Sequence, residues 1–282
     1  MGANYKIIVS SCKIVIIMSV YKNDKLKQFK IALESLYNQT FKDFDIFIQC
    51  DGELPKALEK FLDSEYENGR IKQLNKRTQN MGLAYSLNEL IKIGIKNKYK
   101  YFIRMDADDI SQCERVEKQY KFMEQNNDLD VSGTYIKEFS DSFLYDKIIY
   151  YPLRHDDLFQ FFKKRVPVAH VSAIFRNTFF RKAGLYDTEN HISNEDTLMW
   201  MKGFKANCKF ANLDYIGVKV RVTSDFFDRR SGFEKVISDF NNRRKVIQIL
   251  NYGLVSYFYA IVMVLINLLP ASFKKVAYKF FR

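Results

Sequence analysis

The chain has 282 residues, 47% of them hydrophobic and 28% charged, the balance of an ordinary globular protein with ample apolar surface to bury. That length suits one large domain, or one domain with an appended C-terminal segment. Cys12, Cys50, Cys113 and Cys208 form no CxxC pair and no metal-ligand spacing, which argues against a disulfide scaffold and fits a reducing compartment. The net charge of +12 is uneven: Lys202 to Arg282 carries 15 Lys and Arg against 5 Asp and Glu. Such a stretch suits nucleic acid, anionic lipid at a cytoplasmic membrane face, or simply a solvated basic surface. The 25 Phe and 18 Tyr serve as packing in a core, or as a sugar platform or membrane contact on a surface.

Along the chain, Lys6–Cys12 is too short and polar for a secretory h-region. Lys13–Val20 (KIVIIMSV) is a continuous β-branched apolar run, as expected of a strand buried on both faces of a parallel sheet. Leu26, Phe29, Leu33, Leu36 and Tyr37 then repeat at helical spacing. A second strand over Phe44–Cys50 stops at the turn signal Asp51-Gly52. A further helix follows, then a short strand at Ile71–Leu74, a helix marked by Leu83, Ala84, Leu87, Leu90 and Ile91, and a strand at Tyr99–Met105. This alternation predicts an α/β sheet with crossover helices, in which ligands sit beyond the carboxyl ends of the strands. Asp51 and Asp106 both fall at such ends. Beyond about residue 130 the pattern loosens: a strand at Val131–Phe139, helices at Leu158–Lys164 and Asp196–Gly203, and one or two strands in Lys209–Val222.

Leu254–Leu269 is uncharged and largely apolar over 16 residues, short of the roughly 20 that a spanning helix needs. After Pro270, Phe273, Val276, Ala277, Phe280 and Phe281 recur at helical spacing among Lys274, Lys275, Lys279 and Arg282, a basic amphipathic pattern suited to a bilayer interface. The pair reads as a membrane-surface anchor, with a buried terminal helix as its competitor.

Chemistry concentrates at Asp106-Ala107-Asp108-Asp109. Three carboxylates within four residues raise one another's pKa, and a bound divalent cation removes that conflict. Oxygen ligands suit Mg²⁺ or Mn²⁺, which commonly combine one or two carboxylates with substrate phosphates. The alternative is a solvated acidic turn.

Six segments, in order over roughly residues 12–225, resemble those of family 2 glycosyltransferases of the GT-A fold, the inverting enzymes of bacterial polysaccharide assembly. They are Ile14–Tyr21 (IVIIMSVY), Ile48–Gly52 (IQCDG), Asn80–Asn88 (NMGLAYSLN), Arg104–Ile110 (RMDADDI), then Arg115 with Glu117, Lys118 and Gln119, and finally Glu195-Asp196 with Leu198 and Trp200. Cys50 departs from the usual first Asp of the second segment. The resemblance implies a Rossmann-like mixed sheet flanked by helices over 1–225, with a nucleotide-sugar half at about 12–110 and an acceptor half at about 111–225. A C-terminal helical membrane-associating segment would follow at 226–282.

The same resemblance assigns roles. Val20, Tyr21, Asp51, Asn80, Gly82, Asn88, Arg104, Asp106 and Ala107 would contact the nucleotide-sugar, with Asp51 on the uracil edge. Asp108 would hold Mn²⁺ or Mg²⁺ on the diphosphate, with Asp109 supporting that shell, and Asp196 would be the general base. Further candidates remain open between two readings. Gly82 lines the pocket or permits a turn. Arg104 meets a phosphate or a structural carboxylate. His170, in PVAHVSAIF, belongs to the acceptor side or to the core. The Glu195-Asp196 pair joins the site or favours a helix start. Trp200 is packing more than a sugar platform. Arg221, Arg229 and Arg230 form a loop over the diphosphate or part of a basic membrane face.

The implied reaction moves one sugar from a UDP-sugar to a lipid-linked saccharide of O-antigen or capsule type, at the cytoplasmic face of the bacterial inner membrane, with the protein peripheral or monotopic. Nucleic acid is not an expected partner. A sugar nucleotidylyltransferase would need a glycine-rich loop where this chain has SVYKND, and GxxxxGK[ST] is absent, which argues against a P-loop enzyme. A basic nucleic-acid-binding protein would leave the clustered carboxylates unexplained.

Overall fold

The computed structural model describes residues 13–188, 194–223 and 233–268. Its first half alternates as expected: β1 (Ile14–Tyr21), α1 (Leu26–Tyr37), β2 (Asp45–Asp51), α2 (Lys56–Glu67), β3 (Gln73–Arg77), α3 (Leu83–Lys96) and β4 (Tyr101–Arg104). Strand side chains point to opposite faces in turn. Ile14, Ile16, Met18 and Val20 of β1 therefore enter one apolar core, with α1 and α2, while Val15 and Ile17 enter the other, with α3. All six are fully buried, which is why this strand has no polar face.

β1 lies between β2 and β4, parallel to both, and β2 pairs in parallel with β3. The order β3-β2-β1-β4 means that the chain winds outward to β3, then returns to the far side of β1. The crevice at that reversal opens between the carboxyl ends of β1 and β4.

The second half closes the sheet with β5 (Ile110–Ser111), α4 (Arg115–Gln125), β6 (Val131–Phe139), β7 (Asp146–Ile149), α5 (His155–Phe161), β8 (Ile174–Arg176), α6 (Asn177–Ala183), α7 (Glu195–Lys205), β9 (Phe210–Arg221), α8 (Phe233–Ile249) and α9 (Val255–Leu268). β8 runs antiparallel to β4 and β6, and β9 runs parallel to β6 and antiparallel to β5. The sheet is thus mixed. Two sequence expectations shift: the third strand is Gln73–Arg77, with Ile71 buried just before it, and the helix expected at Leu158–Lys164 is His155–Phe161. The one or two strands expected within Lys209–Val222 are a single strand, Phe210–Arg221, irregular opposite Thr134–Ile136.

α8 and α9 are not outside the fold. Val246, Ile247, Leu250, Tyr252 and Ala260 share one core with Leu198, Trp200 and Phe210. At 14 residues α9 is about 21 Å long against the roughly 30 Å of a bilayer core. Among the described residues no helix is long and apolar enough to cross a membrane. Ser256, Ala260 and Ile266 are buried, whereas Val255, Phe258, Ile261 and Leu265 recur at helical spacing on an exposed apolar stripe. The amphipathic run at 273–282 lies outside the described residues, as do Arg229 and Arg230.

Candidate active site

The end of β2 is tied tightly to the start of α3. Asp51 is 4% exposed, and its Oδ1 accepts bonds from Arg77 Nε (3.0 Å), Arg77 Nη2 (2.5 Å) and the Met81 backbone N–H (2.7 Å). Its Oδ2 accepts from the Gly82 N–H at 2.9 Å, and Asn80 Nδ2 donates to the Asp51 carbonyl at 3.0 Å. Gly82 precedes α3 at φ +88°, a left-handed backbone that favours glycine. Gly52 has φ +90°, and a Cβ there would come within 3.1 Å of the Asn80 nitrogen. This network gives one wall of the crevice a fixed shape. Arg77 also donates to Ser86 Oγ at 2.6 Å and lies over the Tyr85 ring. Arg77→Ala is expected to cost about 3 kcal/mol or more in urea unfolding, because it leaves a buried carboxylate short of its cation. A loss below about 1 kcal/mol would mean that the two backbone donors suffice.

Opposite lies the acidic cluster, just past β4. Burial, then the neighbouring Asp106, pushes the Asp108 carboxyl up to about 6. Asp109, 2% exposed, is pushed well above the ordinary carboxylate range by burial, then by Asp106 and Asp108. Its Oδ1 accepts the Arg221 backbone N–H at 2.8 Å, and Arg221 Nε donates to the Asp108 carbonyl at 2.9 Å. Arg221 therefore ends strand β9 as a buried brace rather than lying in a loop, and it also pairs with Asp141. A fourth acid joins from the β1–α1 turn. Asp24 accepts the Tyr21 N–H at 2.8 Å, and its carboxyl is raised to about 7 chiefly by burial, with Asp108 and Asp106 adding to the shift.

The donor set is entirely hard oxygen. Among the described residues no three His, Cys, Asp or Glu side chains converge closely enough to hold an ion alone. A small divalent cation at Asp108 would complete its shell with phosphate oxygens, as such ions commonly do. The donor chemistry and the repulsion among these acids both fit Mn²⁺ or Mg²⁺.

Arg104 links this cluster to the second half. It is 2% exposed; Nη1 forms an ion pair with Asp106, and Nε has no hydrogen-bond partner. Burial disfavours its charge, but Asp106 outweighs that and holds its pKa up. Glu195 opens α7 within electrostatic reach of both Arg104 and Asp106, and burial followed by Asp196 raises its carboxyl. Asp196 Oδ1 accepts the Thr197 N–H at 2.6 Å. The helix start is set by Asn194, left-handed at φ 82°, whose amide pairs with Asp239 of α8. His170 Nε2 meets the Tyr186 hydroxyl at 2.7 Å; burial, then Arg104, drives its pKa well below the usual range, so it is neutral.

Several candidates act at one remove or not at all. Val20 is fully buried and Ala107 is 5% exposed, so neither side chain is open to a ligand, while Tyr21 is 36% exposed. Asn88 uses its amide to clasp Tyr186, donating to its carbonyl and accepting its N–H, both at 2.9 Å. Trp200 is fully buried and stacked on Phe175, so it presents no face to a sugar and serves as packing, as its sequence context suggested. Arg115, whose motif place gave no role, is fully buried. Its Nη2 donates to the carbonyls of Arg104 and Val171 at 2.9 Å each, locking the end of β4. Sequence reasoning missed Asp24, Arg77 and Tyr186. Asp24 and Tyr186 lie in turns without a spacing pattern, and Arg77 ends a strand whose polar sequence hides it.

A parallel nucleotide-type half with carboxylates at its strand ends, continued by a mixed half that brings in a second acidic pair, defines a GT-A-type glycosyltransferase. The chain belongs to glycosyl transferase family 2, whose family model matches residues 15–184. It is 27% identical to the amylovoran biosynthesis glycosyltransferase AmsE of Erwinia amylovora, over 94% of this chain and 97% of that one. It is 28% identical, over 95% of each, to an Escherichia coli UDP-Gal:alpha-D-GlcNAc-diphosphoundecaprenol beta-1,3-galactosyltransferase. Its fold matches S. aureus TarS 1-349 in complex with UDP-GlcNAc at a TM-score of 0.62 and 18% identity, covering 87% of this chain and 72% of that one; it spans 43% of the longer TarS chain. The protein is a glycosyltransferase, which sets aside the nucleotidylyltransferase and non-enzymatic alternatives.

Proposed function

We propose that the protein transfers one sugar from a UDP-sugar to a lipid-linked saccharide, inverting the anomeric carbon, in the assembly of an O-antigen, capsule or related surface polysaccharide. The observation that carries this is the mutual repulsion of Asp24, Asp106, Asp108 and Asp109 at the switch crevice, beside an acidic helix start coupled to it through Arg104. The E. coli relative is named for a UDP-Gal donor and a diphosphoundecaprenol-linked acceptor, and TarS was solved with UDP-GlcNAc; both support the donor class.

In this reading the wall built by Asp51, Asn80 and Gly82 receives the uracil and ribose. Asp108, with Asp106 beside it, would hold Mn²⁺ or Mg²⁺, and the ion would supply positive charge against the diphosphate. Asp196 takes the proton of the acceptor hydroxyl as that oxygen bonds to the anomeric carbon. The bond from that carbon to the diphosphate breaks, and its electron pair leaves with UDP. The test is a panel of UDP-sugars incubated with the purified protein and Mn²⁺ or Mg²⁺. Slow, metal-dependent hydrolysis of one donor is expected. Equal binding of every nucleotide-sugar, with no metal dependence, would overturn the mechanism.

The exposed stripe on α9 and the basic charge support peripheral or monotopic attachment at the cytoplasmic face of the inner membrane. Phe258→Glu with Leu265→Glu is expected to weaken binding to phosphatidylglycerol vesicles by at least about tenfold, since two apolar side chains are lost from the interface. Substitution is a cleaner probe than truncation after about residue 250, because α9 packs on the core. A full-length chain that ignores such vesicles would rule the anchor out.

A further inference from the structure

Next to Asp196 lies a half-open cavity of about 340 Å³, bounded by the turn after α5, the start of α7, and residues of α8 and α9. Its charge is strongly one-sided. Lys163, Lys164, Arg165, Lys235 and Arg243 line it, against Asp196 and Asp239. Arg243 is fixed in place by donating from Nη1 to the Phe162 carbonyl at 2.6 Å and by lying over the Phe162 ring. Lys163 and Lys164 rest over the rings of Tyr252 and Tyr259, and neither has a carboxylate partner among the described residues. Asn242, 4% exposed, lines the same space, and its Nδ2 has no hydrogen-bond partner. A buried amide donor without an acceptor costs on the order of 1–3 kcal/mol unless a ligand oxygen meets it. Asn194 and Thr197 add polar groups at the start of α7, while Val236 and Phe240 of α8 and Ala260 and Met263 of α9 supply apolar wall.

We propose that this cavity binds the acceptor by its anchor: the phosphate or diphosphate joining the acceptor sugar to a long hydrocarbon chain. The cations and the Asn242 amide would receive the phosphate oxygens, and the α8–α9 wall would receive the first part of the chain. Asp196 lines the cavity, so a sugar linked directly to that phosphate has a hydroxyl beside the proposed base. α9 turns one face to the cavity and its exposed apolar stripe outward, so a chain entering between α8 and α9 comes from the side on which a bilayer would lie. The inference rests on the proposed transfer to a lipid-borne saccharide and names what on that acceptor is recognised.

The test is direct titration of the full-length protein with undecyl diphosphate N-acetylglucosamine, without donor, alongside separate titration with UDP and Mn²⁺. Lys164→Glu is exposed and spares the core, and Asn242→Asp is isosteric; thermal unfolding checks that both are folded. Each is expected to weaken the diphosphate probe at least tenfold while leaving UDP affinity unchanged. Undecyl N-acetylglucosamine, which lacks phosphate, should bind all forms alike. Unchanged affinity for the diphosphate probe in both variants would overturn the proposal. So would equal weakening of the phosphate-free probe, or complete competition by phosphatidylglycerol vesicles, which would assign the cavity to bulk anionic lipid. If the glycosyl-transfer reading is at fault instead, the wild type loses UDP binding while the diphosphate probe still binds.

Discussion

Asp108→Asn is expected to lower turnover by on the order of 10³-fold and, at the same time, to make the unliganded protein more stable. The first effect follows from the charge on the departing diphosphate: a cation that offsets it is worth several kcal/mol, and each 1.36 kcal/mol is tenfold in rate. The second follows from the crowding of Asp24, Asp106, Asp108 and Asp109. Because the Asp108 carboxyl is raised to about 6, the folded chain holds a proton that the unfolded chain has already released. Its contribution to stability therefore falls as pH rises from about 4 through 6, and the penalty is fully present above that. Asp108→Asn removes the penalty. A gain of about 1 kcal/mol, or about 2–4 °C in Tm, is expected at pH 7.5, with little difference at pH 4. Donor hydrolysis measured beside thermal unfolding checks both. Full activity in the variant would remove Asp108 from the metal site, and a lower Tm at pH 7.5 would remove the repulsion.

Asp196→Asn is expected to reduce kcat by about 10²–10⁴-fold, the usual span for loss of a positioned general base, with donor KM and UDP affinity nearly unchanged. Glu195 is the informative control. It sits one residue earlier, coupled to Arg104 and Asp106, and its raised pKa keeps more of it protonated. Glu195→Gln should alter donor binding more than the chemical step. If Glu195→Gln shows the large kcat loss and Asp196→Asn a small one, the two roles are exchanged.

Much of the nucleotide half could be read from the residues, for identifiable reasons. β1 is buried on both faces and so carries an unbroken apolar run, and α1 and α3 repeat at helical spacing. Asp51 and Asp106 stand at strand ends, where a ligand crevice must open. The acceptor half was less legible. β5, β7 and β8 are 2 to 4 residues long, too short to show a period, and α6 has only 7 residues. Pairings such as Asp51 with Arg77, or Asn88 with Tyr186, join residues far apart in the chain, and no local pattern announces them. Trp200 shows the reverse limit: an aromatic residue beside an acidic pair looks the same in sequence whether it faces a sugar or Phe175.

The neutrality of His170 bears on which donors the enzyme can use. Its ring is held against the Tyr186 hydroxyl beside the permanent charge of Arg104, and it has no proton to lend at neutral pH. In the proposed transfer the leaving group would depart without a proton from this ring, so it would have to be stable as an anion. Nucleoside diphosphates meet that demand. Simple alkyl glycosides, whose alkoxide would need an acid, do not, so the proposed site would select donors by the basicity of what leaves as well as by the shape of what binds.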